Sequence, residues 1–140
     1  GKGEWWNPAH RTLECTKRMM GLELWGALAI HGTRMFSDYV TRMFDLGRTF
    51  AAMVEDADDF ELAVPPDCNI VCFRHVPAGV QDVDRHQERI RAQLLRDGSF
   101  YLVQTRLRGH VHLRVTLINP LTTEADLEAL LHALRAAAER

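Results

Sequence analysis

From His110 to Thr123 the chain reads His-Val-His-Leu-Arg-Val-Thr-Leu-Ile-Asn-Pro-Leu-Thr-Thr. As a strand this stretch has two unlike faces, because successive side chains point to opposite sides. Val111, Leu113, Val115 and Leu117 form an apolar row suited to packing against helices. His112, Arg114 and Thr116 form the other row, with a guanidinium in mid-strand. A cation held there needs an anionic partner, since an unpaired buried charge is strongly unfavourable. Asn119-Pro120 stops the strand and Thr123 opens a helix. The rest of the fold must cover the first row and leave something to answer Arg114.

The preceding chain supplies the covering elements. A helical pattern runs from Thr12 to His31, with Leu22, Trp25, Leu28 and Ala29 on one stripe and Gly32 as its stop. Ahead of that stripe, Lys17 and Arg18 sit where a helix dipole disfavours cations, which indicates either an anion nearby or a solvated pair. A longer helix is expected from Thr33 to Asp56, its stripe being Phe36, Val40, Met43, Gly47, Phe50 and Val54. Met35, Met43 and Met53 read as core filling, and Asp56, Asp58 and Asp59 as a solvated turn. Strands follow at Phe60–Val64 and Asn69–Val76, then a helix with Asp84 as cap and Gln87 completing a capping box, ending at Asp97-Gly98. A strand from Phe100 to Leu107 joins His110 through Arg108-Gly109, the mark of a tight hairpin. The last helix starts at Thr123, capped with Asp126 and buried through Leu127, Leu130, Leu131 and Leu134. Two helices followed by β-β-α-β-β-α make an α+β protein: a small, mostly antiparallel sheet with helices on one face. The expected division is residues 1–32, a docking segment and helix, and 33–140, the small α+β domain.

Composition narrows the function. A net charge of -2 with 46% hydrophobic and 26% charged residues lacks the basic surplus of a general nucleic-acid binder. No apolar run reaches bilayer length, so a cytoplasmic protein without a membrane partner is expected. Cys15, Cys68 and Cys72 lack zinc or redox spacing and fit reduced thiols. His110 and His112 share a face without a third ligand, so no metal site is expected. Trp5-Trp6 must bury large apolar surfaces, either on this domain or on another body of protein. The chain opens Gly-Lys-Gly, which fits a processed chain or part of a longer one.

Taken in order, several stretches resemble the C-terminal part of the group II pyridoxal-phosphate-dependent amino acid decarboxylases, which include the glutamate, aromatic amino acid and diaminobutyrate enzymes. They are Glu14-Cys15-Thr16-Lys17-Arg18 with Trp25 seven residues on and then Gly32; Asp59-Phe60-Glu61-Leu62; Asn69-Ile70-Val71-Cys72-Phe73-Arg74; and Leu113-Arg114-Val115 with Asn119-Pro120-Leu121-Thr122-Thr123. The order and spacing carry the signal rather than any one stretch. The resemblance implies a domain like the C-terminal one of fold-type I enzymes, folded against a large cofactor domain and helping to close its active site. It implies pyridoxal 5'-phosphate as cofactor, an amino acid substrate, and a homodimer or heteromer as the complete enzyme. Arg114 matches the arginine that holds a substrate carboxylate in the glutamate enzymes, and a guanidinium fork suits a carboxylate. The aromatic enzymes keep that arginine too, so a structural role stays open. Cys15 matches a cysteine of the glutamate enzymes and leans towards small or acidic substrates. Thr16, Lys17, Arg18 and His112 fall at the active-site edge or the domain interface.

One departure limits the chain. The cofactor lysine of the family follows a histidine, whereas the lysines here are Lys2 and Lys17, after Gly1 and Thr16. No catalytic residue is expected on this chain, and alone it is expected to be inactive. Two other readings stay open: a binding or regulatory module taking a small anion at Arg114 and His112, and a non-catalytic subunit of such an enzyme.

Overall fold

The computed structural model describes residues 19–140. The chain divides into two compact units, Gly1–Ser37 and Asp38–Arg140. Helix α1 spans Met20–Glu55 and is interrupted at Gly32, whose φ of 70° and ψ of 177° lie outside helical space. Only glycine adopts that conformation readily, so the helix expected to stop there does so, and a second one follows. In the first unit the apolar stripe is largely uncovered: Trp25 is 66% exposed and Ile30 78% exposed. Met35 is also exposed, contrary to its expected place in the core.

The second unit contains β1 (Phe60–Leu62), β2 (Ile70–His75), α2 (Val83–Asp97), β3 (Val103–Leu107), β4 (His110–Thr116) and α3 (Glu124–Ala138), with the remainder of α1. The strands form one antiparallel sheet in the order β1-β2-β4-β3. This is the expected α+β arrangement, with strands shorter than expected at Phe60–Val64 and Phe100–Leu107. Phe50, Val54, Val71, Phe73, Ile90, Leu94, Leu113, Leu127, Leu130 and Leu134 share one core. The helices therefore cover the face of Val71, Phe73, Val111 and Leu113. Edge-to-face packing of Phe50 on Phe73, with ring centres 5.3 Å apart, locks α1 to β2. Of the expected α1 stripe, Met43, Gly47, Phe50 and Val54 are buried, whereas Val40 is exposed and Leu46 takes a core place. Val40 shares the angular position of the buried Gly47 and Ala51, so it is exposed because burial along α1 begins only at Met43.

Gly47 marks where α1 approaches the loop before β2. A Cβ there would stand 3.0 Å from the Cys68 carbonyl oxygen and 3.4 Å from the Asn69 Cα. Gly47→Ala is expected to destabilise the fold by about 1–2 kcal/mol through overpacking against backbone. Urea denaturation checks this, and an unchanged midpoint would show that the loop yields freely.

Helix α3 begins as the sequence indicates: Thr123 is the N-cap and exchanges hydrogen bonds with Asp126 in a capping box. Helix α2 does not. Its N-cap is Asp82, whose side chain accepts from the Arg85 amide at 3.0 Å. Asp84 and Gln87, expected to cap it, have a different use. The β2–β4 ladder ends at Phe73↔Leu113, and beyond that pair the two side chains substitute for it. Gln87 accepts from the His75 amide at 3.0 Å and donates to its carbonyl at 2.7 Å. Asp84 accepts from the Val111 amide at 3.0 Å. Buried backbone groups require partners, and here α2 supplies what a strand would have given.

Candidate functional site

Strand alternation and register place Glu61, Ile70, Cys72, Arg74, Val103, Thr105, Leu107, His110, His112, Arg114 and Thr116 on the sheet face away from the core. No element of the second unit packs over it. Arg114 lies opposite Cys72 on one side and Val103 on the other. It is half-buried, and its Nε is shut off from solvent with no hydrogen-bond partner among the described residues. No carboxylate of the described residues pairs with it. Burial raises the Cys72 thiol pKa, opposed by the Arg114 charge beside it. A cavity of about 280 Å³ runs past Arg114, walled by Phe100, Leu102, Val115, Leu117 and Leu127, with Asn119 and Asp126 on its polar side.

His112, expected on this face, is nearly inaccessible, and its Nδ1 lies 3.0 Å from the His110 carbonyl. It is therefore a poor direct contact for a ligand. Cys15, Thr16, Lys17 and Arg18, the other expected site residues, lie outside the described residues, as does Trp5-Trp6.

Arg74 is the residue that the sequence argument left as a landmark only. It shares the face with Arg114, its side chain is 14% exposed, and its Nε is likewise buried without a partner. Among the described residues it makes one ion pair, a 3.4 Å contact from Nη2 to Glu61. The signal was legible: Arg74 alternates with Phe73 and so must leave the core on the Arg114 side.

Behind Arg74 the end of β2 is held by a polar chain that sequence reasoning also missed. Asp59, expected in a solvated turn, receives two hydrogen bonds of 2.7 Å from Arg135. His75 Nε2 lies 3.3 Å from Asp59, His75 Nδ1 lies 3.0 Å from His86 Nε2, and Arg89 reaches His86 Nδ1 at 3.4 Å. Because arginine can only donate and a carboxylate only accept, the protons are assigned. His86 donates to His75, His75 donates to Asp59, and both rings are neutral. Burial lowers the pKa of both histidines. The Arg135 guanidinium holds Asp59 below the usual carboxylate value.

The unfolded chain takes up protons on these histidines near pH 6.5, before the folded one does, so their contribution is complete above about pH 6.5 and falls as the pH drops through it. Asp59 adds a second loss at lower pH, below the ordinary carboxylate value. Stability is expected to decline between pH 7.5 and 5, and His86→Gln to shallow that decline. Denaturant titrations at several pH values read both effects, and parallel curves for the two proteins would exclude the histidine pair.

Known proteins share both sequence and fold with this chain. No family model matches the chain. Phenylacetaldehyde synthase of Arabidopsis thaliana is 30% identical over 116 residues, which is 80% of this chain and 23% of that protein. Aromatic-L-amino-acid decarboxylase of Bacillus atrophaeus is 25% identical over 130 residues, 91% of this chain and 27% of that one. Among solved structures, the glutamate decarboxylase domain of the diaminobutyrate-pyruvate transaminase and L-2,4-diaminobutyrate decarboxylase from Vibrio parahaemolyticus superposes with a TM-score of 0.81 at 28% identity. That match covers 88% of this chain and 26% of that one. These homologues and structure neighbours are group II pyridoxal-phosphate-dependent amino acid decarboxylases, and the chain is similar to a C-terminal portion of them.

It spans about a quarter of the length of the curated relatives it matches. The described residues do not supply the lysine that would anchor a pyridoxal-phosphate cofactor. No lysine occurs among the described residues, and neither Lys2 nor Lys17 follows a histidine. Among the described residues, Arg114 has no carboxylate paired with it.

Proposed function

We propose that this chain is the C-terminal part of a pyridoxal-phosphate-dependent amino acid decarboxylase, completing an active site whose cofactor and anchoring lysine are carried by polypeptide outside it. The complete protein releases carbon dioxide and an amine. Arg114 holds a carboxylate of the substrate or forms the edge of its pocket, and the observation that carries this reading is its half-buried guanidinium on the face away from the core, with an Nε that has no partner among the described residues. A desolvated guanidinium gains most from a bidentate carboxylate, and it selects for position as well as charge. If that carboxylate is the one retained, the interaction is available in ground and transition states alike, which serves binding more than the chemical step.

In this reading residues 1–32 dock on the cofactor domain, with the exposed stripe of α1 contributing apolar area. Cys15 takes part in substrate binding, and Thr16, Lys17, Arg18 and His112 line the edge of the site or the interface between domains. The protein works in the cytoplasm as a dimer or heteromer. No described helix is long and apolar enough to cross a membrane.

The test is the complete protein, purified with added pyridoxal phosphate and offered a panel of acidic and aromatic amino acids. A yellow chromophore bleached by borohydride, together with release of carbon dioxide, supports the reading. A colourless protein that binds no cofactor would overturn it. The 140-residue chain alone is expected to be colourless and inactive.

A further inference from the structure

Helix α3 is held at its C-terminal end by a closed circuit of side chains. Arg135, on α3, donates two hydrogen bonds to Asp59 in the turn before β1. Asp59 accepts from His75 at the end of β2, His75 accepts from His86 on α2, and His86 accepts from Arg89. Arg89 then returns to α3, donating to the Ala138 carbonyl at 3.0 Å and to the Ala137 carbonyl at 3.4 Å. The circuit begins and ends on the last turn of one helix.

That turn depends on it. The final carbonyls of a helix have no partner within the helix. Many helices answer with a left-handed residue whose amide turns back, but the C-cap here, Glu139, stays right-handed at φ -77° and ψ -13°. Arg89 caps the end from the neighbouring helix instead. Arg140 adds a 3.0 Å pair with Asp97, and with Arg140 mostly exposed that pair contributes little.

The proton positions leave no place for one more. His75 and His86 are 2% and 8% exposed, and all four ring nitrogens are committed. A proton arriving on His86 enters at Nδ1, the nitrogen that accepts from Arg89. It sets donor against donor and cation against cation. A proton arriving on His75 enters at Nδ1, which must then donate to His86 Nε2. His86 answers by carrying its hydrogen on Nδ1, and a donor again faces Arg89. Both routes end at the same contact. Arg89 is exposed and has water to move into, whereas the histidines are enclosed. The other charges facing the pair are Asp59, from the turn before β1, and Arg135, from α3. Arg135 holds the Asp59 carboxyl below the usual value, so Asp59 stays ionised while the histidines titrate.

We infer that the Asp59–His75–His86–Arg89 circuit is a proton-operated latch on the C-terminal turn of α3: one proton on the histidine pair expels Arg89, and the turn around Ala137 and Ala138 leaves α2 while the sheet stays folded. The open form frees the histidines to titrate near their ordinary value of 6.5, whereas burial in the closed form resists protonation, so acid favours opening. With one proton per opening, the ratio of open to closed grows about tenfold for each pH unit below about 6.5, until the closed form itself titrates. This is a local opening, distinct from the general loss of stability in acid, which melts sheet and helix together. It is also independent of the decarboxylase reading.

The experiment is a heteronuclear NMR titration of the full 140-residue chain from pH 7.5 to 5. At pH 7.5 the imidazole signals are expected to show both rings neutral with hydrogen on Nε2. On acidification the amides of Ala137, Ala138 and Glu139 are expected to move towards coil positions in step with the imidazole signals, while those of Val71 and Leu113 hold. Arg89→Ala, at an exposed helical position that alanine suits, is expected to show the open positions already at pH 7.5. His86→Gln keeps a donor and an acceptor but takes up no proton in this range, and it is expected to move the opening to lower pH. Hydrogen on Nδ1 of either ring at pH 7.5 overturns the latch, as do helix-end amides that ignore histidine protonation. Histidines that stay neutral to pH 5, or sheet and helix amides lost together, overturn it equally.

Discussion

Gln87→Leu is expected to remove about 3–5 kcal/mol of folding stability, since each buried polar group left without a partner is worth about 1–3 kcal/mol. Gln87 is fully buried and serves both the amide and the carbonyl of His75, with a further hydrogen bond of 3.2 Å to the Val83 carbonyl. Leucine fills nearly the same space, so the loss isolates the hydrogen bonds from cavity formation. The measurement is the free energy of unfolding by urea titration, and a loss below about 1 kcal/mol would mean that water or a shifted strand satisfies His75. Gln87→Glu refines the result. Its carboxylate can accept from the His75 amide but faces the carbonyl with no proton to give, so this variant is expected to regain stability on acidification. Wild type moves in the opposite direction over the same range, because His75 and His86 resist protonation in the folded state.

Arg114→Gln is expected to lower kcat/KM of the complete protein by about 30- to 1000-fold, the equivalent of the roughly 2–4 kcal/mol lost when one partner of a desolvated, hydrogen-bonded charge pair is removed. The division between kcat and KM identifies the carboxylate concerned. A rise in KM alone means that Arg114 holds a group unchanged by the reaction, whereas equal falls in kcat and kcat/KM mean that the interaction strengthens at the transition state. Arg114→Lys retains charge but loses the fork, and it is expected to recover only part of the activity. An effect on stability with no effect on kinetics would assign Arg114 to the domain junction instead.

Much of the architecture was determined locally. Alternation in β4 separates Leu113 from Arg114 whatever surrounds them, Thr123 and Asp126 make their capping box within one turn, and Arg108-Gly109 closes a hairpin between adjacent strands. The break at Gly32 is equally local, because its backbone conformation excludes other residues. Each of these depends on neighbours a few residues away, which a linear reading contains. The order of elements and the composition of the core follow from the same periodicities.

Tertiary structure decided the remainder. Asp84 and Gln87 have the spacing of a capping box, but the unpaired backbone of β2 and β4 makes the greater demand, and a helix brought against the sheet from 12 residues away meets it. Asp59 looks like one of three solvated acids until Arg135, 76 residues later, is placed beside it. The burial of His112, the exposure of Val40 and the orphaned Nε of Arg74 all depend on which surfaces neighbouring elements cover. A sequence specifies which side chains share a face, because that follows from backbone geometry. Whether a face is dry, paired or left for a partner is set by packing between distant segments, and on that distinction the role of Arg114 rests.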